Sequence, residues 1–177
     1  GVQTCALPIY HEGIAILARA LGRLDLAGLG ALLAGRAAAP LVYLDGVQNP
    51  HNLGSILRTA AHFGAAAVLG RAGELPALSP AAVRVAEGAA ELVPVCDLAD
   101  PAADLGRLAR DGFRIVVTAA RTGAPLTTAA LRGRVVIVLG SEATGVSPAI
   151  DRLADARVRD RKSTRLNSSH VSESRMP

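Results

Sequence analysis

Between positions 41 and 159 the chain alternates short apolar runs with longer stretches in which apolar residues return every three or four positions. The runs at 41–45, 66–69, 93–96, 114–119 and 135–139 have strand length. Their near-continuous hydrophobicity predicts strands covered on both faces, as in a parallel sheet. The spacing predicts helices over 52–63, 79–91 and 101–110. Each opens on residues suited to a helix start: Asn52, then Ser79-Pro80, then Asp100-Pro101. Gly64 and Gly112 stand where helices close. The repeated β-α-β order predicts an α/β fold with a doubly wound, parallel, Rossmann-like sheet. Residues 10–35 form an Ala/Leu/Gly-rich stretch read as helix plus linker, and no internal repeat is visible.

At 177 residues the chain is long enough for one full core. Half of it is hydrophobic and only 2% aromatic, so that core must be aliphatic. The formal charge is +4, but residues 10–160 hold 15 Arg against 14 Asp and Glu. The excess comes from Arg161, Lys162, Arg165 and Arg175, so the basic balance says little about what the body binds. No apolar run approaches the ~18–20 residues of a membrane span, and no signal-peptide pattern is visible. Cys5 and Cys96 fit neither a disulfide framework nor a zinc cluster, and the four histidines lack metal-ligand spacing. The expectation is a cytoplasmic protein without membrane or metal.

The ends differ from the middle. Lys162 is the only Lys, and five of the nine Ser lie in the last fifteen residues. "GVQTCALPI" and "RKSTRLNSSHVSESRMP" resemble translated sequencing-adapter read-through. The expected division is a leader at 1–9, a linker or helical remnant at 10–39, the main domain at 40–160 and a polar tail at 161–177. A genuine disordered polar tail is the alternative reading of the last segment.

In open α/β sheets ligands bind outside the carboxyl ends of the strands. Three segments put unusual residues there. In "DGVQNPHNLGSILRTA", Asn49-Pro50 forces a turn, Asn52 opens the helix and Gly54 permits close approach. Arg58 follows Asn52 by six residues, so the two do not share a helix face. Taken alone, Arg58 reads first as a solvated surface charge and second as a contact for an anion. In "VVIVLGSEATGVSP", a buried strand ends at Leu139-Gly140 and Glu142 sits in a loop closed by Gly145. A plain strand-to-helix loop accounts for Gly145 and Ser147-Pro148, but not for the acid between two glycines. In "VVTAA", Thr118 and Ala119 end a strand where free backbone meets ligand-sized space. Neither G-x-G-x-x-G nor the P-loop pattern follows a strand, which argues against an ordinary dinucleotide-binding enzyme.

Together "DGVQNPHNLGSILRTAAHFGAAAVL" and "VVIVLGSEATGVSP" resemble motifs one and two of the SpoU (TrmH) family. These are S-adenosylmethionine-dependent RNA ribose 2′-O-methyltransferases of the SPOUT class. "RVAEGAAELVPV" is similar to the family segment leading into its middle strand, and the likeness covers about 41–159. The resemblance implies a C-terminal trefoil knot, incomplete here, and a homodimer acting on tRNA or rRNA. It implies Asn52, Arg58 and Glu142 as catalytic residues, with Thr118, Ala119, Leu139 and Gly140 around the cofactor. Arg58 should stay protonated, so its expected part is to clamp phosphate and stabilise a developing alkoxide. The site is expected where Asn52, Arg58 and Glu142 converge around Gly140. "TRLNSSHVS" looks like the third motif only superficially, so this chain is expected to be inactive although its parent is an enzyme. A non-catalytic RNA-binding relative with the same fold is the alternative.

Overall fold

The computed structural model describes residues 21–119, 123–125 and 131–159. The expected leader, most of the residues ahead of the first helix and the polar tail lie outside them. Among the described residues seven strands are present: β1 (Ala39–Asp45), β2 (Ala67–Arg71), β3 (Val95–Leu98), β4 (Arg114–Ala119), β5 (Ala124–Pro125), β6 (Arg134–Gly140) and β7 (Ala156–Arg159). They form one sheet in the order β3-β2-β1-β6-β4-β7-β5, with every pairing parallel.

The helices α1 (Leu26–Leu33), α2 (Pro50–His62), α3 (Pro80–Ala86), α4 (Ala89–Leu92), α5 (Pro101–Arg110) and α6 (Pro148–Asp151) cover both faces. Alternate strand residues point to opposite faces, and the core divides accordingly. Val42, Leu44, Val68 and Val95 pack with Leu53, Leu57, Ala60 and Ala86 from α2 and α3. Leu41, Tyr43, Leu69, Ile115, Val117, Val136 and Val138 pack with Leu29, Leu33, Leu105, Leu108 and Ile150 from α1, α5 and α6. Burial on both sides is the reason the strands read as unbroken apolar runs.

Three local expectations change. First, α2 begins at Pro50, and Asn49, not Asn52, is its cap: the Asn49 side chain accepts from the His51 amide at 2.9 Å. Pro50 at the first helical position sacrifices no hydrogen bond, because that amide has no intrahelical partner. Second, the expected helix over 79–91 is broken. Glu87 (φ 50°) and Gly88 (φ 86°) are both left-handed and separate α3 from α4. Third, β3 starts two residues later than its apolar run, because Val93 closes α4 and packs into the core.

The short strand β5 and the last strand β7 were not among the five apolar runs read as strands. β7 lies between β4 and β5, and Gly123 ahead of β5 packs on its backbone. A Cβ there would stand 2.6 Å from the Arg157 carbonyl oxygen. The further passage of chain that would close a knot lies outside the described residues.

Helix α2 sits tightly against α3 because Gly54 has no side chain. A Cβ at Gly54 would lie 2.4 Å from the Ala82 carbonyl oxygen and 2.9 Å from Val85 Cβ. Gly54→Ala is therefore expected to destabilise the protein by about 1–3 kcal/mol, although Ala is the better helix former by ~1 kcal/mol. Urea denaturation measures this, and an unchanged midpoint would refute the close packing. Cys96 is fully buried on β3, and burial, with Asp97 adding to it, pushes its thiol up to about 12. At pH 8 it should resist iodoacetamide while the protein is folded and react once it is unfolded, as read by peptide mass spectrometry.

Candidate functional site

The paired strands β1 and β6 send their following helices to opposite faces. The chain after β1 enters α2 on one face, and the chain after β6 enters α6 on the other. In an open α/β sheet this divergence opens a crevice at the carboxyl ends of the two strands. A cavity of about 700 Å³ lies there. Its walls come from 46–49, from Asn52, Ser55 and Ile56 of α2, and from Leu139 to Thr144.

The α2 wall follows from helix geometry. With Asn49 serving as the cap, the Asn52 side chain is not needed for capping and lines the cavity from the first turn. Ser55 and Ile56, three and four positions on, share its face. Arg58 does not. It points to α3, and its guanidinium meets the Glu87 carboxylate at 2.8 Å, outside the cavity lining.

The opposite wall is a tight loop. Ser141 and Gly145 exchange both backbone hydrogen bonds, at 2.9 and 3.2 Å. The Ser141 hydroxyl accepts from the Thr144 amide at 3.1 Å and lies 2.7 Å from the Thr144 hydroxyl. Glu142 and Ala143 are thereby pushed out at the exposed tip. The loop folds back so closely that a Cβ on Gly140 would lie 2.3 Å from the Gly145 carbonyl carbon. Gly145 itself has φ 71°, the left-handed region glycine enters without strain. Asp45, at the end of β1, completes the site. Its carboxylate accepts from the Ser147 amide at 2.6 Å and ties the two walls together across 102 residues.

Asn52, Leu139, Gly140 and Glu142 thus line one cavity, and Arg58 stands outside it. Thr118 is the next-to-last residue of β4, two strands from β1, and its hydroxyl donates to the Val138 carbonyl at 2.8 Å. Ala119 follows it, half-buried. Neither lines the cavity. Sequence reasoning missed Asp45, Gln48, Ser55, Ile56, Ser141 and Thr144. Ser55 and Ile56 were open to detection from the helix period, whereas Asp45 shows only once β1 and β6 are paired.

The charge of the cavity is distinctive. Among its described lining residues Glu142 alone carries a formal charge. A second cavity of about 380 Å³ lies at the other end of the sheet and includes Arg107 and Arg134. There Arg134 lies over the Phe113 ring at 4.7 Å and donates to the Asp111 carbonyl at 2.9 Å.

Known proteins resemble this chain in sequence and in fold. The sequence model described as the SpoU rRNA Methylase family matches residues 39–171. The 23S rRNA (guanosine-2′-O-)-methyltransferase RlmB of Coxiella burnetii is 36% identical over 137 residues, covering 77% of this chain and 55% of that relative. The chain spans about half the length of that curated relative. A solved RNA 2′-O ribose methyltransferase is 29% identical with a TM-score of 0.62, over 70% of this chain and 47% of that one. The SpoU methyltransferase AviRb of Streptomyces viridochromogenes, solved with AdoMet, shares the fold at 23% identity. Its TM-score is 0.64, over 73% of this chain and 51% of that one. With the match extending over the sheet and both walls of the cavity, the chain belongs to the SpoU rRNA Methylase family.

Proposed function

We propose that this chain carries the catalytic domain of a cytoplasmic homodimer that methylates the 2′-hydroxyl of a ribose in rRNA or tRNA, with S-adenosylmethionine as the methyl donor. Among the described residues no helix is long and apolar enough to cross a membrane. The observation that carries the reading is a switch-point cavity whose single charged lining residue, among the described residues, is a carboxylate.

The residues fit the cofactor. A cavity of about 700 Å³ falls within the ~300–1,000 Å³ of small-molecule sites. Val47, Ile56 and Leu139 offer apolar surface to an aromatic base, and Gly140 lies beside Leu139 in the same wall. Glu142 suits a ligand bearing positive charge, whereas a dinucleotide pyrophosphate would meet an uncompensated carboxylate. The bound cofactor supplies a methyl group on a cationic sulfur.

The chain's own residues do the rest. Asn52 presents an amide able both to donate to and to accept from a ribose hydroxyl. Arg58, on the same helix but outside the cavity, offers its fork of N–H donors to a phosphate of the RNA backbone. The fixed loop 141–145 and the Asp45 tie hold one wall against the other before any ligand arrives. Such preorganisation places reacting atoms at ~3–3.5 Å, from which much of the rate derives. Methyl transfer to rRNA agrees with the RlmB relative, which is a 23S rRNA (guanosine-2′-O-)-methyltransferase.

Calorimetry tests the cofactor assignment. S-adenosylmethionine should bind and NAD should not; the reverse result would refute the reading. Asp45→Ala removes the charge-assisted bond to Ser147, a contact of about 1.5–3 kcal/mol. It should weaken S-adenosylmethionine binding by about tenfold or more. Equal affinity in the two proteins would show that the tie does not shape the cavity.

A further inference from the structure

Arg58 is the residue the sequence singles out and the cavity leaves aside. Its partner is unusual. Among the described residues Glu87 is the only non-glycine with a positive φ, and the residue after it is a left-handed glycine. Glutamate is a poor choice for that conformation, which Gly, Asn and Asp enter more readily. The strained position sets its carboxylate 2.8 Å from the Arg58 guanidinium, across 29 residues, where α2 meets α3. Both side chains are open to solvent, Arg58 at 50% and Glu87 at 68%. A pair so exposed is worth about 0–1 kcal/mol. It orients the arginine, yet a stronger anion displaces it.

We propose that Glu87 stands in for an RNA phosphate: it holds the Arg58 guanidinium in the RNA-free protein and yields it to a backbone phosphodiester when RNA arrives. The proposal rests on the RNA-methyltransferase reading above and adds to it a built-in competitor for the RNA contact. The contact is a single bond from Arg58 Nη1 to Glu87 Oε1, and a guanidinium donates to a phosphate as readily as to a carboxylate, so the exchange needs rotation of one side chain and no change of fold. Glu87 also places a negative charge where RNA is to approach, so anything short of a phosphate aligned with Arg58 meets repulsion. The pair thereby raises the discrimination of the site at the expense of its affinity.

The test is a double-mutant cycle on the full chain, read by fluorescence anisotropy with a short 5′-fluorescein oligoribonucleotide over a range of salt. Glu87→Gln should tighten binding about two- to fivefold, the equivalent of an exposed ion pair. The salt slope should stay unchanged, because the number of phosphate contacts in the complex is the same. Arg58→Ala should weaken binding and lower the slope by about 0.7, one phosphate contact on single-stranded RNA. In the Arg58→Ala background Glu87→Gln should give no more than the small gain expected from removing any negative charge. Glu87→Gly, which removes the strain together with the carboxylate, should bind like Glu87→Gln and melt at a higher temperature. Weaker binding by Glu87→Gln would show that the carboxylate holds Arg58 in its working position and would overturn the exchange. An equal gain with and without Arg58 would also overturn it. A wild-type chain that binds no RNA would overturn the reading of function, and the proposal with it.

Discussion

The parallel ladder between β1 and β6 is the contact on which the rest of this molecule depends. Seven register pairs, from Ala39 with Arg134 to Asp45 with Gly140, lock together segments 95 residues apart. The pair lies inside the sheet, flanked by β2 and β4, so its apolar side chains are buried on both faces. A shift of one residue would turn every one of them to the wrong layer. Because the register is held so firmly, the loops that follow the two strands begin side by side. The helices beyond them depart on opposite faces, and the cavity is the space left between.

What holds that space open is polar and local. The Asp45 carboxylate reaches across the ladder's end to the Ser147 amide, while Ser141 and Thr144 close the intervening loop upon itself. Each bond is modest alone. Together they leave the loop little freedom, and Gly140 allows it to lie nearly against the strand it has just left. A site built this way spends little binding energy on ordering its own walls.

The charges divide the work. A carboxylate, Glu142, belongs to the cavity, and a cation, Arg58, stands on α2 but turned away from the cavity that this helix walls. This separation matches a reaction that brings a positively charged methyl donor to a polyanion. A single mixed patch would let donor and acceptor compete for the same partners. The Glu87 carboxylate adds a second control, since Arg58 must leave one anion to meet another.

Much of the molecule was legible from one-dimensional pattern. Unbroken apolar runs indicated a parallel sheet covered on both faces, because such strands have no polar side to show. Residues placed by local rules, such as Ser79, Asp100, Gly64 and Gly112 at helix ends, stood where expected. Gly140 and Glu142 stood out because no turn chemistry required an acid there. What failed was whatever depends on a distant partner. Asn52 passed for a cap because capping residues and ligand-binding residues share the same short polar side chains. The break at Glu87 escaped notice because a helical pattern does not reveal one left-handed residue. β5 and β7 are too short to carry a period, and β7 exists as a strand only because β4 and β5 lie on either side of it. The tie from Asp45 to Ser147 and the pairing of Arg58 with Glu87 join residues 102 and 29 positions apart. Local propensity is written in neighbouring residues and can be read from them; proximity across the fold comes into being only when the sheet has closed.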